Sequence, residues 1–102
     1  MKNWLQVLGQ VRQMQEQLQK RLEQIVVEGA AGGGMVKVKM NGKKQLLAVE
    51  IAPEVLRSGD REMLQDLVLA AVNAATSKVD AELADQMKGL TGLLPFKLPE
   101  LF

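Results

Sequence analysis

Val36-Lys37-Val38-Lys39-Met40-Asn41-Gly42-Lys43-Lys44, preceded by Gly32-Gly33-Gly34, decides how this chain folds between two long helical patterns. Apolar and basic residues alternate along it, and a period of two sends them to opposite faces of a strand. Asn41-Gly42 offers the two positive-φ positions of a type I′ turn, so the spacing predicts a hairpin with a two-residue loop. That register sets Met40 opposite Lys43, Val38 opposite Gln45 and Val36 opposite Leu47. Val36, Val38, Met40, Leu47, Val49 and Ile51 then share one buried face. Lys37, Lys39 and Lys44 share the other with Glu50, and Lys39 faces Lys44 across the ladder, a mildly destabilising arrangement. Lysines on a solvent face with no internal partner point to something acidic outside the chain.

The residues before the hairpin read as a helix from Asn3 to about Ile25. Trp4, Leu8, Val11, Gln15, Leu18, Leu22 and Ile25 recur at alternating steps of four and three, a heptad stripe with Gln15 as its polar insertion. Val7 and Met14 widen the stripe enough to suit a helix lying on other elements. Gln6, Gln10, Gln13, Gln17 and Gln24 crowd the opposite side, which is solvated and nearly neutral. Val26 to Ala31 forms a short strand ending in the glycine cluster. No Gly-Lys-Ser/Thr follows those glycines and no helix opens there, so they read as a turn between strands, not a phosphate cradle.

Beyond the hairpin, Ala52-Pro53-Glu54 ends the third strand, and Pro53 opens a short turn of helix through Leu56. Ser58-Gly59-Asp60 breaks that turn, and Asp60 is an N-cap for a long helix. Met63, Leu64, Leu67, Val68, Ala71, Val72, Ala75, Val79, Leu83 and Met87 mark its apolar side, and Gly89 reads as its C-cap. Ala70, Ala71, Ala74 and Ala75 let another backbone approach closely. Asp80, Glu82, Asp85 and Lys88 put the last turns in solvent. The order is helix, three-stranded antiparallel meander, short helix, long helix: a small α+β domain over residues 1–89. An apolar Gly/Pro-containing tail, residues 90–102, follows and is a candidate docking segment for a protein partner. A three-stranded sheet covered on one face by helices leaves apolar surface over, so a homodimer is expected.

Composition bounds the function. The 102 residues contain neither Cys nor His, which removes disulfides, thiolate and imidazole metal ligands and the commonest general base. No nucleophile–base pair is present, so catalysis, a cofactor and a metal are not expected. No apolar run approaches the roughly 18 residues of a membrane span, and the start lacks a secretory apolar region. A soluble cytoplasmic protein is expected. The net charge of +1 hides an asymmetry: residues 1–50 hold eight Lys/Arg against four Glu, residues 51–102 five against eight acidic residues.

Four blocks in order carry a family resemblance: the Gln- and Met-rich first helix, Val27–Gly42, Val49–Leu56 and Asp60–Ala75. Over about Gln13 to Lys88 the chain resembles the YbaB/EbfC family of bacterial nucleoid-associated proteins. The resemblance implies a tweezer-shaped homodimer whose helical arms admit a DNA duplex. It implies double-stranded DNA as partner, bound with low or modest sequence preference, and a nucleoid location with a part in nucleoid organisation and gene regulation. The basic residues in the family's contact regions are Lys2, Arg12, Lys20, Arg21, Lys78 and Lys88 on helices and Lys37, Lys39, Lys43 and Lys44 on the hairpin. Each would act by neutralising phosphate and releasing counterions. No aromatic is placed for base stacking, and the first-helix glutamines come nearest to a base-reading face. Asp80, Glu82 and Asp85 depart from a strongly basic binder, which keeps a dimeric protein-binding adaptor as the alternative.

Overall fold

In the structure, a computed structural model that describes residues 2–91, the elements run α1 (Lys2–Gln24), β1 (Val26–Ala31), β2 (Val36–Asn41), β3 (Leu46–Ile51), α2 (Pro53–Ser58) and α3 (Arg61–Thr91). The three strands form one antiparallel sheet in the order β1-β2-β3. Start and stop signals act where the residue types place them. Asp60 Oδ1 accepts the Met63 amide at 3.0 Å, satisfying a free donor of the first turn of α3. Gly59 ends α2 in the left-handed region, φ 69°, and donates to Leu56 O. Gly89 does not end α3, which continues to Thr91. The tail from residue 92 lies outside the described residues.

The core is the contact between α3 and the first two strands. Ala71, Ala75 and Val79 of α3 are fully buried against Val36, Val38 and Met40, with Val27, Ala31, Leu64, Leu67 and Val68 around them. What permits the close approach is Gly29. A Cβ there would run into Ala71 O and lie 2.6 Å from the Ala75 amide nitrogen and 2.8 Å from Ala75 Cβ. The helix backbone rests almost directly on β1, and only glycine opposite alanine leaves room.

The hairpin between β2 and β3 differs from the two-residue type I′ form. Its loop has three residues, Gly42, Lys43 and Lys44, and the left-handed residue is Lys44 (φ 63°), not Gly42. Asn41 closes the loop: its amide donates to Gln45 O at 3.1 Å, and its carbonyl accepts from Lys44 at 2.9 Å. Its Oδ1 takes the amides of Lys43 and Gln45, both at 3.0 Å, while Nδ2 donates to Gln45 Oε1 at 2.9 Å. An asparagine so bonded favours the longer loop, in which a left-handed residue follows the turn. Gly42 has another task. Its amide reaches Leu22 O at 2.8 Å and Ile25 O at 3.0 Å, and a Cβ would sit 2.6 Å from Leu22 O. The end of α1 is seated on the turn through that glycine.

The longer loop and a bulge at Lys39/Met40 reset the register: Val36 faces Ile51, Lys37 Glu50, Val38 Val49, Lys39 Ala48 and Met40 Leu46. Lys39 therefore does not face Lys44. The expected buried face holds for Val36, Val38 and Met40 and fails along β3, where Leu46, Leu47 and Val49 are about half exposed and Ile51 alone reaches the core. α3 lies over β1 and β2 and leaves β3 open. The stripe of α1 is likewise unpacked within the chain. Trp4, Val7, Leu8, Val11, Met14 and Leu18 are all exposed, and α1 extends from the body of a molecule measuring 66 × 30 × 17 Å.

Two glycine-to-alanine substitutions are expected to act with opposite sign. Gly29→Ala forces α3 off the sheet and should lower unfolding free energy by about 1–3 kcal/mol, as overpacking does. Gly9→Ala, in open space on α1, should gain up to about 1 kcal/mol of helix stability. Urea denaturation followed by far-UV circular dichroism measures both.

Candidate nucleic-acid interface

The basic side chains of α1, the β2–β3 turn and the sheet form three groups, each set by the element that carries it. The first is on α1. Arg12, Lys20 and Arg21 are exposed, and among the described residues none of them makes an ion pair. Lys2 opens the same helix. Around the axis, at 3.6 residues per turn, Lys20 and Arg21 stand on either side of the row formed by Gln6, Gln10, Gln13, Gln17 and Gln24. Glu16 and Glu23 fall on another side, beside Leu5 and Arg12. Both acidic residues of α1 are thus kept off its glutamine face.

The second group is on the turn, and it is already occupied. Lys43 Nζ lies 3.4 Å from Glu23 Oε1 at the end of α1, and Lys44 Nζ lies 2.9 Å from Asp80 Oδ1 on α3. Lys44, expected beside Lys37 and Lys39, instead reaches the α3 side because the left-handed backbone at that position redirects its side chain. Asp80, which in the sequence argues against DNA, is therefore a counter-ion to a turn lysine.

The third group is Lys37 and Lys39 on the sheet face away from α3. Each has a carboxylate directly across the ladder, Glu50 opposite Lys37 and Glu28 opposite Lys39, and an alanine on the other side. That face is balanced in charge. Lys78 is held differently again: its Nζ donates to Glu28 O at 2.7 Å, tying α3 to β1. Lys88 is exposed near the far end of α3. That end lies close to the base of α1, where Arg21, Gln24, Ile25 and Gln86 line a shallow groove.

The arrangement brings Arg21 near the α3 end, and it sets Lys37 and Lys39 on the sheet apart from the paired turn lysines. The roles of Glu23 and Asp80 are absent from the sequence reading, since each meets its lysine only through tertiary contact. Among the described residues no acidic cluster could hold a metal ion, and no helix is long and apolar enough to cross a membrane.

A family model described as the YbaB/EbfC DNA-binding family matches residues 1–94. The chain belongs to that family. It is 50% identical over 90 residues to a nucleoid-associated protein of Koribacter versatilis, covering 88% of this chain and 89% of that one. It is 45% identical over 103 residues to a nucleoid-associated protein of Pelotomaculum thermopropionicum, covering 98% and 96%. In fold it is similar to the crystal structure of an uncharacterized protein of Helicobacter pylori, with a TM-score of 0.63 at 24% identity, covering 82% of this chain and 98% of that one.

The pairing of the turn lysines leads to a gain-of-affinity prediction for this YbaB/EbfC chain. Glu23→Gln with Asp80→Asn frees Lys43 and Lys44 and removes two carboxylates that repel phosphate. The double variant should bind duplex DNA several-fold more tightly at 50 mM salt, with a steeper salt dependence. Its stability should fall by no more than about 1 kcal/mol per exposed pair. Fluorescence anisotropy across a salt series, with urea denaturation alongside, measures both effects.

Proposed function

We propose that this chain acts as a homodimer that binds double-stranded DNA mainly through phosphate contacts, with low or modest sequence specificity. It works in the cytoplasm on the nucleoid, contributing to nucleoid organisation and gene regulation, and catalyses no reaction. The observation that carries this reading is α1, an exposed helix whose apolar stripe lies on a different side from its glutamine row and the flanking Lys20 and Arg21.

The apolar stripe supports the dimer. A helix standing in water draws its stability from packing an amphipathic face, and α1 packs little of its own within the protomer. Burying Trp4, Val7, Leu8, Val11, Met14 and Leu18 would contribute on the order of 10 kcal/mol, enough to offset the cost of association. A second copy brings the same need, together with the uncovered Leu46, Leu47 and Val49 of β3. The cations beside the glutamine row support the DNA contact. Among the described residues Lys20 and Arg21 make no ion pair, so phosphate can replace small ions around them at little cost.

Two outcomes are expected. Val11→Glu with Leu18→Glu should convert the dimer to monomer at micromolar concentration in sedimentation velocity and weaken DNA binding with it. Lys20→Ala with Arg21→Ala should leave the dimer intact, weaken binding similarly on unrelated duplexes, and flatten the slope of log affinity against log salt by up to roughly 2. A gel-shift titration from 50 to 200 mM salt tests the whole reading. Absence of any shift at 50 mM, with a stable protein partner recovered instead, would establish the adaptor alternative.

A further inference from the structure

We infer that the glutamine row of α1 reads base edges in the major groove, with Gln10, Gln13 and Gln17 as the residues that discriminate sequence; this rests on the DNA-binding reading above. Gln6, Gln10, Gln13 and Gln17 follow at steps of four, three and four, which confines them to an arc about 60° wide on the helix surface. All four are exposed, and among the described residues none of their amides bonds to another side chain or to the backbone. A helix face that serves only solubility is ordinarily built from charges, often in opposite-sign pairs. This one is built from neutral groups that each carry a donor and an acceptor.

The surroundings of the row point to duplex DNA as its occupant. No apolar and no acidic side chain enters the arc, so nothing on it repels phosphate. Lys20 and Arg21 continue the row at its C-terminal end, one on each margin, positioned to meet the two phosphate backbones that wall a groove. The apolar stripe lies on a different side of the helix, so a partner copy can cover it while the glutamines stay open. Dimensions agree as well. A helix with side chains is about 10–12 Å across and the major groove about 12 Å wide. From Gln6 to Gln17 the axis advances about 16 Å, the rise of roughly five base pairs. The glutamine amide pairs bidentately with N6 and N7 of adenine, so the site read is short and contains A·T pairs at fixed spacing.

The experiment uses the full chain. Selection from a randomised duplex library at 100 mM salt, followed by anisotropy on the enriched duplex and a scrambled one, compares wild type, Gln10→Ala/Gln13→Ala/Gln17→Ala and Lys20→Ala/Arg21→Ala. Alanine is the stronger helix former, and circular dichroism with sedimentation velocity checks that helix and dimer persist. The expected result is an enriched motif of about five base pairs with adenines at set positions. The glutamine variant should then lose about tenfold or more on the enriched duplex and less than about threefold on the scrambled one. The cationic variant should weaken both alike. Retention of the motif and its discrimination by the glutamine variant would overturn the inference while leaving the DNA reading in place, as would binding by wild type with no motif enriched. Failure of wild type to bind either duplex, even at 50 mM salt, would overturn the DNA reading and this inference together.

Discussion

The contact of Gly29 with the Ala71–Ala75 turn of α3 is the constraint on which the rest of the molecule depends. Glycine facing alanine brings the helix backbone onto β1 at a distance no larger pair would permit. Seated that low, α3 covers β1 and β2 and buries Val36, Val38 and Met40, and it has no width left for β3. The exposed leucines and valine of β3 follow from this placement. So does the tie between Lys78 and Glu28 O, which is short because α3 runs close along the first strand.

A second consequence concerns charge. Because α3 lies along the sheet and α1 ends on the β2–β3 turn, Glu23 and Asp80 arrive beside Lys43 and Lys44. The most lysine-rich stretch of the chain is thereby partly neutralised by its own fold. Lys37 and Lys39, on the other side of the sheet, meet Glu50 and Glu28 across the ladder. Among the described residues, Lys20 and Arg21 of α1 make no ion pair, and they lie beside an uncharged amide surface. A chain with a net charge of +1 can in this way present a face suited to a polyanion, since the sign of a local face and not the total governs the approach of DNA.

Much of the fold is legible from residues. Val26–Ala31 forms the strand expected of it, Asp60 caps α3, Gly59 stops α2, and the elements occur in the expected order. These signals are local: each depends on a backbone preference or on a side chain bonding within a few positions. The turn misled because Asn41-Gly42 carries two meanings. Its strongest local reading is a type I′ turn, but Asn41 spends its side chain on Lys43 and Gln45, and Gly42 is small so that Leu22 O can come close. Register then moves, and with it the neighbours of every lysine on the hairpin. Of the candidate interface, the basic positions and the glutamine row could be named from the sequence. Which cations are free could not, since the answer depends on carboxylates distant in the chain.

By itself the sequence determined the elements, their order, the apolar faces and the two-sided character of α1, because periodicity and capping act over a few residues at a time. Only the tertiary structure decided that β3 and α1 keep their apolar faces uncovered, that the turn lysines are paired, and that Gly29 and Gly42 serve close approach and not backbone twist. Those outcomes depend on where one helix comes to rest on a sheet. That position is set by summed contacts between distant residues, which no local pattern encodes.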